Sequence, residues 1–223
     1  MATETRNNAA DITDEQFNEI VGAPVVAVRR RTIDLVLVAL GAVVTVVMVV
    51  AGGLLTWGAN FADDYVADEL GSQQIFFPEA ESLEAEGRTD LVQYAGEQVT
   101  TGEHAEAYAS YIDGHLQGIA DGMTYAELGG PQRAAAGAVT EAVESGASDE
   151  EVAELQATAD QLSGQRDSLF RGETLRGLLL SAYAWSTVGQ IAGIAAIVAF
   201  VGAAVMAVLT VAGVFHYRKA AKA

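Results

Sequence analysis

The chain has no cysteine, and its 223 residues include only three prolines and three histidines. Without cysteine it can hold no disulfide bond, no thiolate-bound metal and no covalently attached c-type haem. The sequence also contains no G-x-S-x-G nucleophile motif, no Walker loop and no dinucleotide-binding fingerprint. These absences remove the signals by which hydrolases, nucleotide-binding enzymes and thiol-based metal proteins are most readily identified.

A first long apolar run covers residues 33–57. As a helix it would be about 37 Å long, enough to cross a hydrocarbon core of about 30 Å. Arg29, Arg30 and Arg31 precede the run and are predicted to lie on the cytoplasmic side, with Trp57 at the opposite interface. The run is longer than the apolar part of a secretory signal and follows a polar tail, so we expect an uncleaved anchor.

A second apolar run follows, because no Asp, Glu, Lys or Arg occurs between Gly177 and Tyr217. From Trp185 to His216 this run would be about 46 Å long as a helix, close to the thickness of a bilayer with its headgroups. Aromatic and basic side chains are expected to mark its two interfaces. They are Tyr183 and Trp185 on the outer side, and Tyr217, Arg218 and Lys219 on the inner side.

Basic residues flank both runs on the side away from the central segment, so both termini are predicted to be cytoplasmic. The predicted fold class is an all-α membrane protein, in which two transmembrane helices are joined by an acidic helical extracytoplasmic domain. We expect a multi-pass protein of the plasma membrane. Its predicted divisions are a cytoplasmic tail at 1–31, a first transmembrane helix at 32–57, the acidic domain at 58–182, a second transmembrane helix at 183–216 and a cytoplasmic tail at 217–223.

The net charge of −18 is unevenly distributed along the chain. Residues 58–180 contain 24 acidic residues, five arginines and no lysine. Such a domain would repel a polyanion, so a nucleic-acid partner is excluded. The acidic surface either keeps the domain soluble or forms a docking face for a cationic partner, and the sequence leaves both interpretations open.

The clearest amphipathic segment lies at residues 102–122, where we expect Asp121-Gly122 to end a helix. Its side chains recur at spacings of three and four, which predicts one buried helical face. The members of that face are Ala105, Tyr108, Ile112, His115, Leu116 and Ile119.

Two capping boxes are expected downstream, at Thr124 with Glu127 and at Ser148 with Glu151. We expect Gly129-Gly130 to end the first helix and Pro131 to open another. The helix that begins after Ser148 is predicted to run almost unbroken into the second apolar run. Shorter elements are a helix at Thr13–Ile20, an extended piece at 72–78 and a solvated helix at 79–87.

The histidines do not suggest a metal centre. His104 and His115 are three helical turns, or about 16 Å, apart, so they cannot ligate one ion from the same helix. We expect His115 to lie in the core or at an interface and His104 to be exposed, with His216 at the inner membrane interface. The sequence therefore predicts no metal, no cofactor and no enzyme activity.

Small residues form one face of the second apolar run. Gly189 and Gly193 make a G-x-x-x-G motif, and Ala195, Ala199 and Ala203 extend the face. Such a face lets another helix approach closely. Because both runs are poor in polar residues, we expect packing against other membrane proteins and not an ion or substrate pathway.

Five short motifs occur in the same order as in an actinobacterial family of two-span membrane proteins, which the chain resembles. This chain is longer than the short members around 72–100 and 131–170, so a function located there would not transfer. The motifs are Thr56-Trp57-Gly58, Ala67-Asp68-Glu69, Ala109 with Ile112 and His115, the run from Thr124 to Leu128, and Leu175-Arg176 with Leu179.

One member of that family resembles the prokaryotic respiratory supercomplex association factor 1, an accessory subunit of the cytochrome bcc–aa3 supercomplex. The resemblance implies a non-catalytic subunit that assembles or stabilises this menaquinol-to-oxygen electron chain. Its expected partners are cytochrome bcc and aa3 oxidase subunits and membrane lipid.

Two other functions remain open on the sequence. The chain could instead be a free-standing envelope receptor or sensor adaptor that binds a ligand or cation through the acidic domain. The family is also labelled an aromatic ring-opening dioxygenase, but a non-haem iron site needs two histidines and a carboxylate in one place. The spacing of His104 and His115 does not fit that requirement.

Overall fold

A computed structural model describes the backbone of residues 30–220 and the side chains of residues 32–219. Within this range the chain is all-helical, apart from connecting segments and an isolated β-bridge between Phe76 and Gln98. The bridge confirms the extended piece predicted at 72–78 only for residues 75–78, because Ser72 ends a helix and Gln73 and Gln74 form a turn. The helix expected at Thr13–Ile20 and the side chains of Arg29, Arg30 and Arg31 lie outside the described part.

Five α-helices and two short 3-10 helices make up the described chain. In order they are α1 (Arg30–Ser72), α2 (Ala80–Ala85), a 3-10 helix (Thr89–Tyr94), α3 (Gly102–Gln117), a second 3-10 helix (Ala120–Gly122), α4 (Tyr125–Ser145) and α5 (Asp149–Ala220).

The two long helices, α1 and α5, are each long and apolar enough to cross a membrane. Only 11% of the most apolar window of either helix is buried within the protein. A core helix of a soluble protein would bury most of that window. The predicted pair of apolar helices is therefore confirmed, and most of its apolar surface faces outward.

The described chain divides into two compact units, and the described part of the smaller one consists of residues 30–47 and 202–220. In its described part, the start of α1 approaches the end of α5 closely at glycines. A Cβ atom built on Gly41 would lie 2.6 Å from the Thr210 hydroxyl oxygen, and one built on Gly213 would lie 3.0 Å from a methyl group of Val38. Thr210 Oγ1 is buried and has no hydrogen-bond partner among the described residues.

The larger unit, Met48–Val201, has its main core between α1, α3 and α5. Val66 and Leu70 of α1 pack with Leu179 of α5 and with Ala105 of α3. The connecting segments contribute Phe77 and Val99, and Val99 is fully buried. The alanines of α3 let this short helix lie close to the two long ones.

A second cluster in the same unit holds the beginning of α4 against α5. Its buried members are Leu116, Ala120, Leu128 and Leu169. Arg166 of α5 reinforces the contact, because its guanidinium lies 4.1 Å from the centre of the Tyr125 ring and donates a 2.8 Å hydrogen bond to Gln132.

The capping box at Thr124 and Glu127 is confirmed, but the expected break after it is wrong. α4 continues through Gly129, Gly130 and Pro131 to Ser145. The cap fixes the start of the helix, and Pro131 removes only the one N–H that would bond to the Glu127 carbonyl. Gly129 is buried inside the helix, where a Cβ atom would lie in ordinary van der Waals contact with the Arg166 guanidinium at 3.5 Å, so it does not end the helix.

The long helix predicted after Ser148 is confirmed as α5, which is unbroken through its glycines. The Ser148 hydroxyl accepts a 3.3 Å hydrogen bond from the backbone of Glu151, as in one half of a capping box. Packing explains why position 172 is a glycine, because any side chain there would collide with Leu116 of α3. Helix α3 ends at Gln117, before the Asp121-Gly122 pair, because the chain turns into a 3-10 helix there.

Candidate functional site

Of the two central histidines, His104 is not exposed as predicted, and His115, predicted to lie in the core or at an interface, is not in the core. His104 is the more buried, with its Nδ1 3.0 Å from the carbonyl of Gln98 and its Nε2 3.3 Å from a Glu97 carboxylate oxygen. His115 is exposed, and its Nε2 is 3.6 Å from Glu86. Leu116 takes the buried position of that turn, and neighbouring side chains on a helix are about 100° apart, so His115 points away from the core.

His104 belongs to an aromatic cluster at the amino end of α3. Its ring meets Phe77 and Tyr94 edge-on, and the Tyr94 hydroxyl donates a 2.7 Å hydrogen bond to Glu103. That bond raises the pKa of Tyr94 above its ordinary value. The arrangement fastens the segment before α3 to the helix and does not direct His104 toward a cavity.

No group of three or more His, Asp or Glu residues is placed to hold a metal ion among the described residues. A network of polar side chains surrounds Arg88. Its guanidinium donates to both carboxylate oxygens of Asp90 at 3.1 and 2.8 Å, and to the carbonyl and hydroxyl oxygens of Ser110. These hydrogen bonds hold the pKa of Asp90 below its usual range and raise that of Arg88.

The predicted small-residue face packs within the chain itself. A Cβ atom built on Gly189 would lie 3.0 Å from the Cβ of Ala62, and one built on Gly193 would lie 3.8 Å from the Cβ of Ala59. Ala196 is buried, whereas Ala195 and Ala199 are partly exposed; Ala203, in the smaller unit, is buried. The G-x-x-x-G motif thus accommodates α1, so other membrane proteins would have to contact a different face.

These contacts fix the register of the antiparallel pair. Because Gly193 lies opposite Ala59, Trp57 lies level with Ala195. Trp185 comes ten residues before Ala195 in α5, which corresponds to about 15 Å along the helix axis. Side chains tilt toward the amino end of their helix, and α1 and α5 run in opposite directions, so the two indole rings are further apart still.

The distance of about 15 Å between the levels of Trp57 and Trp185 along the helix axis bears on the prediction that both anchor the outer membrane interface. The headgroup layer on one side of a bilayer is about 5–8 Å thick, so Trp57 and Trp185 cannot both lie in that layer. Both side chains are exposed, and Tyr183 is partly buried. Near the other end of α5, Arg218 and Lys219 are exposed in the last turn, and Tyr217 is partly exposed. The interfacial roles of Tyr183, Tyr217, Arg218 and Lys219 stay predictions.

Aromatic rings continue along α1 from Trp57 toward the end of the helix. Trp57 stacks on Phe61 at 5.8 Å between ring centres, and Phe61 stacks on Tyr65 at 6.1 Å. All three rings are more than half exposed. Sequence analysis singled out only Trp57; the i, i+4, i+8 spacing of aromatic residues was the signal for the others.

A groove of about 370 Å³ begins beside Tyr65 and runs between α1 and α5. Its floor is formed by residues of the main core, including Val66, Leu70 and Leu179. Leu175, Leu178 and Trp185 of α5 form one wall, and Tyr65 and Glu69 of α1 form the other. Sequence analysis missed this groove, because it depends on the register of α1 against α5.

One acidic side chain of α1, Glu69, lines the groove, and three more lie nearby on the same helix. Asp63, Asp64, Asp68 and Glu69 are all exposed, and none of them forms an ion pair with a cation of the described residues. After Arg31, the next basic residue in the chain is Arg88. The groove therefore combines an apolar lining with an uncompensated negative edge.

The chain matched no family model, no curated protein and no solved structure. The function proposed for the chain therefore rests on the geometry above and on the sequence motifs.

Proposed function

We propose that the protein is a non-catalytic accessory subunit of a larger complex in the plasma membrane. The observation that carries the proposal is the outward apolar surface of the α1–α5 pair, which continues past Trp57 through Phe61, Tyr65 and Leu178. Lipid would cover such a surface only as far as the bilayer extends. Large apolar patches exposed to water are uncommon in proteins that act alone and mark binding surfaces.

In the proposed topology both termini are cytoplasmic, and the region from Gly58 to Ala182 lies outside the membrane, together with the part of α5 up to Ile194 that the register places beyond Trp57. Arg29, Arg30, Arg31, Arg218 and Lys219 would then all lie on the cytoplasmic side, in agreement with the positive-inside rule. Protease added to intact spheroplasts should cleave the central region and leave tags at both ends intact. Cleavage of the terminal tags with a protected central region would contradict this topology.

The resemblance to the actinobacterial two-span family narrows the proposed complex to the cytochrome bcc–aa3 supercomplex. The role would be to assemble or stabilise electron transfer from menaquinol to oxygen, with the redox centres supplied by the other subunits. The outer surface of the pair would contact those subunits and the lipid between them.

Affinity purification of the tagged full-length chain in mild detergent tests this function. We expect cytochrome bcc and aa3 subunits to be retained, with haem absorbance in the purified fraction, and deletion of the gene to lower the yield of intact supercomplex. If the chain is recovered alone, and deletion leaves the supercomplex unchanged, the proposed function is wrong. Binding of a small ligand or cation by the lone chain would then favour the receptor alternative.

A further inference from the structure

We propose that the groove between α1 and α5 beside Trp185 binds one helix of a partner membrane protein. That helix would leave the bilayer next to α1 and carry lysine or arginine within its first two turns outside the lipid. The inference rests on the proposed function as an accessory subunit, and it adds the place of contact and the chemistry of the partner.

The position of the groove favours a protein occupant. Trp57 ends the apolar run of α1, and Trp185 lies about 15 Å further along the pair. Leu175, at the far end of the groove, is ten residues beyond Trp185, which is again about 15 Å. With Trp57 in the headgroup layer, the groove lies outside the reach of lipid chains, so its apolar walls face water unless a segment of protein covers them.

The shape of the groove suits a helix. Its floor lies between two antiparallel helices, and side chains of a third helix fit such a furrow by ridges-into-grooves packing. The walls are open, since Leu178 is 65% exposed and Trp185 is 55% exposed. A small ligand would be left half in water there, whereas a helix brings enough apolar surface to cover both walls.

Charge indicates which helix would bind. Glu69 lines the groove, Asp63, Asp64 and Asp68 lie within two helical turns of it on α1, and none of the four pairs with a described cation. A partner with lysine or arginine opposite these residues would gain attraction and faster association. A second copy of this chain would place the same carboxylates against each other, so the surface disfavours self-association.

Leu178→Asp and Glu69→Lys test the groove in the full-length chain. Both side chains are exposed, so the variants should fold with unchanged thermal stability. Leu178→Asp buries an unpaired charge at the contact and should lower partner retention at least about tenfold. Val143→Asp is the matched control, because Val143 is 60% exposed on α4 and does not line the groove. It should retain the partner within about twofold of the unsubstituted chain.

Crosslinking identifies the occupant. The chain has no cysteine, so Leu178→Cys gives a single site for a maleimide-benzophenone probe in native membranes. We expect mass spectrometry to find a crosslinked helix of another membrane protein, adjacent to a transmembrane segment and bearing Lys or Arg. Changing that basic residue to Glu should weaken binding, and combining it with Glu69→Lys should restore it.

The possible outcomes distinguish failure of the groove proposal from failure of the proposed function. If subunits are retained by the unsubstituted chain and equally by Leu178→Asp, the groove is not the contact, but the accessory-subunit function stands. Crosslinks to lipid alone, to a second copy of this chain or to a helix without basic residues also overturn the groove proposal. If the unsubstituted chain retains no subunit and yields no crosslink, both proposals fail.

Discussion

Two contacts between helices α1 and α5 within the larger unit are made from different kinds of residue. In the apolar section, Ala59 and Ala62 lie against Gly193 and Gly189. Further along the same helices, Val66 and Leu70 pack with Leu179 in a core that also includes α3. The first contact relies on close approach of two backbones, and the second on burial of large side chains.

The difference follows from the surroundings in the proposed topology. In lipid, burying a leucine gains little, because the lipid chains are equally apolar, so helices associate through small residues and tight packing. In water, each buried leucine contributes about 1.5–3 kcal/mol, so large side chains and a third helix are favoured. The point where one pattern replaces the other, between Ala62 and Val66, is where the cluster of acidic residues from Asp63 to Glu69 begins.

The largest effect is expected for Leu179→Ala. Leu179 is 2% exposed, and removing its side chain leaves a cavity in the main core, which should cost about 2–5 kcal/mol. Leu178→Ala, at the adjacent exposed position, should cost less than about 0.5 kcal/mol in the isolated chain. Unfolding in mild detergent, followed by the fluorescence of Trp185 and Trp57, measures both. Equal losses for the two variants would show that this core does not stabilise the pair as described.

A smaller effect is expected for Gly189→Leu in the apolar section. The new side chain would meet Ala62, and also the backbone of Ala59, neither of which can swing aside. We expect a loss of about 1–3 kcal/mol in an SDS-driven unfolding titration. Gly53→Leu is the control, because a side chain at Gly53 meets no atom within 4 Å. If Gly53→Leu is the more damaging variant, the helices pack through a different face.

The smallest effect concerns Asp90, whose pKa is lowered chiefly by the hydrogen bond from Arg88. A lowered pKa in the folded state stabilises the protein above the unfolded value of about 4, and this stabilisation is lost as pH falls through the folded value. Asp90→Asn should therefore cost about 0.2–1 kcal/mol at pH 7 and nothing in strong acid. Unfolding free energies across this pH range measure the difference.

The control for Asp90→Asn is Asp64→Asn, which removes one negative charge from a carboxylate that has no described ion-pair partner. It should not destabilise the chain at pH 7. A cost for Asp90→Asn that stays the same from pH 7 to strong acid would contradict the assigned role of the Arg88 hydrogen bonds.

Features that depend on local sequence could be predicted. The Thr124–Glu127 capping box and the unbroken helix after Ser148 follow from spacing within a few turns, and both are confirmed. The two apolar helices were predictable from composition alone. Each of these features is decided by neighbours along the chain, so no knowledge of tertiary contacts was needed.

Features that depend on tertiary contacts could not be predicted. The periodicity of α3 placed both His115 and Leu116 on one face, but only packing against α5 decides that Leu116 is buried. The Gly129-Gly130 pair has the composition of a helix end, yet α4 continues through it and buries Gly129 beside Arg166 of α5. The groove beside Trp185 depends on the register of α1 and α5, which neither helix encodes by itself.

Disulfide trapping tests that register most directly. The Cβ separation between Ala59 and the position built on Gly193 is 3.8 Å, which matches the usual Cβ separation in a disulfide. Oxidation of the Ala59→Cys/Gly193→Cys double variant in native membranes should therefore form an intramolecular disulfide rapidly, whereas Ala59→Cys/Tyr183→Cys should not react. If the Tyr183 pair reacts and the Gly193 pair does not, Trp57 and Trp185 lie level, and Trp185 and the groove wall beside it belong to the membrane interface.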